Sequence, residues 1–233
     1  MGTMAGLTQY ITRFDQLPET DRFLAVESQG DGRALLRAPG WQRGGGSDQA
    51  LGVVEFSIRP LPMRRDPRDL GTDLAMGDGD LAMENGDLKV VSGEANARQK
   101  LRLLVNTPVG GLFSAEEYGV RWRPLALLFG EDLTLLGRLF RLDLARVISA
   151  PVRIEELNLP SGTIKSVLKP QIDVVERVEE VVVRHLNPDR SEAIVEIAVI
   201  WANGLPWRGQ VNVFLSDKPE RPVAPSRTPP GPY

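Results

Sequence analysis

The stretch that decides the fold runs from Asp69 to Gly119: D-L-G-T-D-L-A-M-G-D-G-D-L-A-M-E-N-G-D-L-K-V-V-S-G-E-A-N-A-R-Q-K-L-R-L-L-V-N-T-P-V-G-G-L-F-S-A-E-E-Y-G. Within it, Asp73-Leu74-Ala75-Met76, Asp80-Leu81-Ala82-Met83 and Asp87-Leu88-Lys89-Val90 recur every seven residues. A heptad suggests a coiled coil, but a glycine in every period opposes a stable helix. G-D-G and E-N-G between the repeats are turn formers. The pattern therefore predicts three short strands joined by tight turns, each Asp-Leu start placing a turn-capping carboxylate beside a core leucine.

Ser92-Gly93-Glu94 reads as a helix start. Ser92 is placed to accept orphan amide hydrogens, and Glu94 suits the positive end of the helix dipole. Ala97, Leu101, Leu104 and Val105 form one apolar face. Pro108 ends the helix, and Gly110-Gly111 turns the chain. Residues 124–148 are leucine-rich and read as helix broken near Gly130, with Leu135, Leu136, Leu139, Leu142 and Val147 as the core face. Pro151 stops that helix. Beyond it the chain reads as β-rich, with strands at 174–186, 191–201 and 210–215 and a hairpin loop at Asn187-Pro188-Asp189-Arg190.

Upstream, residues 1–20 are weakly patterned. F-L-A-V-E-S from Phe23, then Q-G-D-G, then R-A-L-L-R-A predicts a hairpin. The glycine-rich segment from Gly40 to Asp48 reads as a loop. Residues 50–61 read as a strand with Val54, Phe56 and Ile58 on one face. Pro60, Pro62 and Pro67 with Arg64, Arg65 and Arg68 make an extended basic connector. The expected organisation is a β-rich N-terminal extension over 1–65, an α+β core over 66–216 with two main helical segments and antiparallel strands, and a proline-rich extended tail over 217–233.

Composition narrows the chemistry. The 233 residues carry a net charge of −3, which gives no bulk reason to bind nucleic acid. Cysteine is absent and His185 is the sole histidine, so disulfides and thiolate or multi-histidine metal sites are excluded. No apolar run approaches the roughly 20 residues of a membrane helix. The opening M-G-T-M-A-G-L-T-Q-Y lacks the pattern of a signal peptide.

Asp78, Asp80 and Asp87 among glycines invite calcium, but EF-hand spacing is missing and the period is seven residues, not nine. Turn capping is the favoured reading. The pairs Glu116-Glu117, Glu155-Glu156 and Glu179-Glu180 raise a glycoside hydrolase, which needs two carboxylates across a cleft. Adjacent strand residues point to opposite faces, so these read as solvated charges. No phosphate loop, G-x-S-x-G or dinucleotide fingerprint occurs. His185 reads as a hairpin histidine. Trp122, Trp201 and Trp207 are either interface anchors or core residues, and Tyr118 reads as packing under a turn.

The ordered series Gly79-Asp80-Leu81, Gly86-Asp87-Leu88, Ser92-Gly93, Asn96, Gln99, Leu101 to Leu104, Thr107-Pro108-Val109-Gly110, Leu112-Phe113 and Tyr118-Gly119 resembles the baseplate wedge and sheath-initiator family of contractile phage tails. That family has relatives in type VI secretion and other contractile injection systems. Its Glu-Pro-Arg element falls at Ala150-Pro151-Val152-Arg153, with Ala150 replacing the acid and Val152 inserted. The resemblance spans about residues 69–157. It implies a non-enzymatic virion component, without cofactor or metal, assembled in the host cytoplasm into the tail baseplate. Its implied partners are other baseplate wedge proteins, tail tube or hub proteins, and sheath protein by strand addition. The implied assembly residues are Thr107, Pro108, Gly110, Tyr118, Gly119, Pro151 and Arg153. The rival reading is a tail-associated cell-wall hydrolase.

Overall fold

The computed structural model describes residues 4–17, 21–26, 31–43, 52–58, 69–77, 80–111, 118–149, 151–158 and 162–216. The fold is α+β, with helices and antiparallel sheets. The chain opens with helix α1 (Met4–Arg13) and a 3-10 turn (Phe14–Gln16), followed by β1 (Phe23–Val26) and β2 (Asp31–Ala34). Then come β3 (Gly40–Arg43), β4 (Gly52–Glu55), and six short strands: β5 (Thr72–Leu74), β6 (Met76–Gly77), β7 (Asp80–Leu81), β8 (Met83–Glu84), β9 (Asp87–Leu88) and β10 (Val90–Ser92). Helices α2 (Gly93–Val105), α3 (Trp122–Phe129) and α4 (Leu133–Ser149) lead to β11 (Pro151–Asn158), β12 (Thr163–Pro170), β13 (Val175–Leu186), β14 (Glu192–Trp201) and β15 (Pro206–Phe214).

The core lies between the helices and the meander β13-β14-β15. On β14, Ala193, Val195, Ile197, Val199 and Trp201 face inward at period two, and Val211, Val213 and Leu215 continue the layer. β13 reads differently. Its buried valines, Val175, Val178 and Val181, fall every third residue. The ladder to β14 explains this: register slips at Glu176, Glu179 and Arg184 each insert one residue on β13. Each bulge resets the alternation, so Val175, Val178, Val181 and Val183 all reach the same face.

Against this sheet pack Ala97, Leu101, Leu104 and Val105 of α2, Trp122 and Ala126 of α3, and Leu136, Phe140, Leu144 and Val147 of α4. The face expected for α2 is the one observed. For α4 the core face is rotated from expectation. Leu135 is exposed, and Leu139 and Leu142 are half-buried, whereas Phe140 and Leu144 are buried. Leucine abundance obscured the spacing, because leucines occupy the flanks as well as the centre of the stripe. Helix α4 comes close to β13 at Gly137, where a Cβ would meet the Val181 carbonyl oxygen at 2.8 Å. Trp122 stacks on Phe140 with ring centroids 4.4 Å apart and donates its indole N–H to the Phe140 carbonyl.

Four other expectations need correction. Residues 4–13 are helical, and Phe14 at the end of α1 is buried beneath Tyr10 and the Arg22 guanidinium. Residues 40–43 of the expected loop form β3, because Trp41 and Gln42 pair with Val54 and Val53 of β4; residues 44–48 lie outside the described set. The strand over 50–61 narrows to β4 and an isolated Leu35–Ile58 bridge, with Phe56 and Ile58 exposed. The β11-β12 hairpin was not resolved by sequence into separate strands. The β1-β2 hairpin was expected, and its Gly32 amide donates to Ser149 Oγ at the end of α4.

Candidate assembly interface

The seven-residue repeat builds three two-stranded ribbons: β5 with β10, β6 with β7, and β8 with β9. The ribbons meet at Ala75, Ala82 and Lys89. Ala75 N–H donates to the Lys89 carbonyl, Ala82 N–H to Ala75, and Lys89 N–H to Ala82, at 2.8, 2.8 and 2.9 Å. These bonds form a closed ring of pseudo-threefold character through equivalent positions of the three repeats. Asp73, Asp80 and Asp87 each accept the N–H of the leucine that follows, at 2.7–2.8 Å. Asn85 (φ 55°) and Gly86 (φ 86°) supply the left-handed pair that turns one ribbon. Gln99 of α2 fastens the unit to the body, its carboxamide accepting from Met76 N–H and donating to the Leu74 carbonyl.

Asp73, Asp80 and Asp87 cap as the sequence suggested, with Asp78 outside the described residues, but the leucines are not core. Leu74 faces Val90, Leu81 faces Met76 and Leu88 faces Met83 across the ribbons, and all six are exposed. Met83 and Val90 are the most open at 61% and 59%. Ala75, between Leu74 and Met76, is buried. In extended backbone neighbours point to opposite sides, so Leu74 and Met76 share the side opposite Ala75. The ribbons are too short to fold over their own apolar residues. Six strands of two or three residues replace the three strands expected.

Helix α2 starts after Ser92, but the Ser92 side chain makes no capping bond. The other end is elaborate. Asn106 donates its side-chain amide to the Arg102 and Asn212 carbonyls and accepts Phe214 N–H. Thr107 Oγ1 donates to the Leu103 carbonyl. Pro108 and Gly110 then form a turn in which Gly111 N–H donates to the Pro108 carbonyl at 2.8 Å, with Gly110 at φ 81°. Val120 N–H donates to Thr107 and Val109 N–H to Val120, so Thr107-Pro108 and Gly119-Val120 run side by side. Gly119, at φ 108°, is required there: a Cβ would fall on the Thr107 carbonyl. Tyr118 packs against the core, and burial pushes its phenol pKa up.

The structure therefore brings Thr107, Pro108, Gly110, Tyr118 and Gly119 into one junction. It also places there a buried ion pair that sequence reasoning missed. Arg146 Nε donates to Asp143 Oδ1 at 2.8 Å, and Arg146 Nη2 donates to the Gly119 carbonyl at 3.1 Å. Asp143 Oδ2 accepts Arg121 N–H, and Gln171 Oε1 accepts Gly119 N–H. Arg146 Nη1 is buried without a hydrogen-bond partner among the described residues. The available signal was an Asp and an Arg three residues apart on the stripe shared with Phe140, Leu144 and Val147. Pro151 and Arg153 lie in β11, opposite Pro170 and Leu168 of β12. Pro151 thus begins a strand, two residues after α4 ends.

The remaining candidates fall elsewhere. Glu179 pairs with Arg177, and Glu180 with Arg208. The bulge at Glu179 leaves both glutamates outside the core, instead of on opposite faces. Hydrogen bonds from Arg208 and Arg184 hold the Glu196 carboxyl below the usual carboxylate range. Trp122 and Trp201 are core residues, with Trp207 packed beside Trp201 at 5.4 Å, and His185 is exposed on β13. Among the described residues, no three His, Asp or Glu side chains gather as a metal site. No described helix is long and apolar enough to cross a membrane. No family model, curated protein or solved structure matches the chain.

Proposed function

We propose that this chain is a structural component of a phage or phage-like tail baseplate that joins wedge proteins to the tail tube and initiates the sheath. The observation that carries the reading is a hydrogen-bonded repeat that leaves its leucines and methionines exposed to solvent. Exposed apolar side chains on an ordered scaffold mark an interaction surface. A second open apolar group lies where α3 meets α4: Leu127, Leu128 and Phe129, with Leu128 73% exposed. Of the pieces of the family resemblance, Gly93, Asn96, Gln99 and Leu101 to Leu104 fall on α2, and Thr107-Pro108-Val109-Gly110 and Tyr118-Gly119 on the junction at its C-terminal end; Leu112-Phe113 lies outside the described residues.

Sheath contact by strand addition would use an edge of the meander. β13 and β15 flank β14, and Asn106 already occupies the edge of β15 at Asn212 and Phe214. An incoming strand would therefore pair toward Gln210.

The test is complementation of a deletion strain with Arg153→Ala and with Leu127→Ser/Leu128→Ser. Tail yield should fall by at least about tenfold, the scale of one lost interface hot spot, while the purified variants fold normally. Wild-type tail yield from both variants would refute the assignment.

A further inference from the structure

We infer that the cleft between α4 and the edge of β13 is a binding site for an organic phosphate monoester. The proposal rests on this cleft alone and does not depend on the tail reading. β13 is an outer strand of the meander, and α4 runs against it through Gly137, the close approach to the Val181 carbonyl. The cleft at this contact has a volume of about 610 Å³, within the roughly 300–1,000 Å³ of small-molecule sites. One wall is a single face of α4: Thr134, Arg138 and Arg141, at i, i+4 and i+7. The other is the β13 segment from Glu179 to Val183, joined by Arg208 of β15. The bulge at Glu179 sets Glu179 and Glu180 together on that wall.

Charge and donor geometry decide the ligand. The lining holds three arginines and two glutamates, a balance of +1 in a chain that carries −3. Both acids are engaged by arginines, Glu179 by Arg177 at 2.6 Å and Glu180 by Arg208 at 2.8 Å. The α4 wall contributes no acid. Arg141 donates Nε and Nη2 to the Val178 carbonyl at 3.4 Å, a neutral acceptor that steers the guanidinium without cancelling its charge. A phosphate monoester presents three terminal oxygens and a charge of about −1.5 to −2 at pH 7. Two guanidinium forks and the Thr134 hydroxyl supply donors for all three oxygens, whereas a carboxylate is satisfied by one fork. The glutamates on the facing wall oppose a polyanion, so the ligand carries one such group and not a nucleic-acid backbone. Leu133 and Val182 line the same cleft and give the organic body an apolar surface.

The test is isothermal titration calorimetry of the full chain with phenyl phosphate, with inorganic phosphate and benzoate as comparisons. Phenyl phosphate should bind at one site per chain and at least about tenfold tighter than either, because each lacks one of the two recognised parts. Arg138 is exposed, so Arg138→Gln alters the site without touching the core. Arg138→Gln and Arg141→Gln should each weaken binding at least about tenfold, the scale of one charge-assisted hydrogen bond, with an unchanged circular dichroism spectrum. Arg138→Lys keeps the charge and loses the fork, and should restore only part of the affinity. Glu179→Gln should tighten binding about threefold, the scale of one screened surface charge.

No binding of phenyl phosphate, or an affinity unmoved by Arg138→Gln, would overturn the proposal. Benzoate bound as tightly would make the cleft a carboxylate site, and inorganic phosphate bound as tightly would remove the organic body; either result overturns it. So would a single-stranded RNA or an acidic peptide that binds more tightly than phenyl phosphate and is released by Arg138→Gln.

Discussion

Gly119 is held from three sides: its amide by Gln171, its carbonyl by Arg146, and its Cα against the Thr107 carbonyl. Gly119→Ala combines an unfavourable φ with a backbone clash and should cost about 1–3 kcal/mol in urea unfolding. Gly110 has a positive φ but open space around it, so Gly110→Ala should cost less, about 1 kcal/mol. Equal losses would mean that the close approach at Gly119 is not what demands glycine. Asp143→Ala leaves the Arg146 charge buried and unpaired, and should cost about 3–5 kcal/mol. Glu196 supplies a pH signature. Its carboxyl pKa is lowered from 4.5 in the folded state, so its contribution is present above that value and lost as pH falls through the folded one. Thermal melts of Glu196→Gln should therefore show a smaller loss of Tm below pH 4.5 than wild type. Parallel curves would contradict this.

At the scale of elements, pairing and spacing decide what is local and what is borrowed. The apolar face of α2 and the positions of β13 and β14 were legible in sequence, because each follows a short-range period, whereas β15 starts at Pro206, four residues before the expected Gln210. The Asp caps of the repeat were legible for the same reason. The burial of its leucines was misread, since period shows which side chains share a face but not whether anything covers it. The three bulges of β13 also hide in the sequence: V-E-R-V-E-E-V fits neither a helix nor a simple strand until Glu176 and Glu179 are set outside the ladder. The pair Asp143–Arg146 escaped because its partners, Gly119 and Arg121, come from a distant part of the chain. One prediction belongs here. Gln99→Ala removes both bonds from the Gln99 carboxamide to the repeat, so amide exchange at Met76 and Ala75 should quicken about thirtyfold, in line with roughly 1 kcal/mol per bond. Core amides of β14 should not change. Uniform acceleration across the molecule would show that the repeat is not a separable unit.

At the scale of the molecule, the helices and the meander form one core, and the repeat projects from it through Gln99 and the start of α2. Stability and display are divided between them. The core buries the large side chains, whereas the repeat spends main-chain hydrogen bonds to hold apolar groups in the open. That division suits a part whose surface is completed by neighbours, and it underlies the baseplate proposal. The most direct measurement is quantitative mass spectrometry of tails purified from the strain that encodes the chain, with immunogold labelling of the same particles. The account predicts a fixed copy number per tail and label at the baseplate end. Recovery of the chain only as free protein, with none in purified tails and with turnover of peptidoglycan by that free protein, would contradict it.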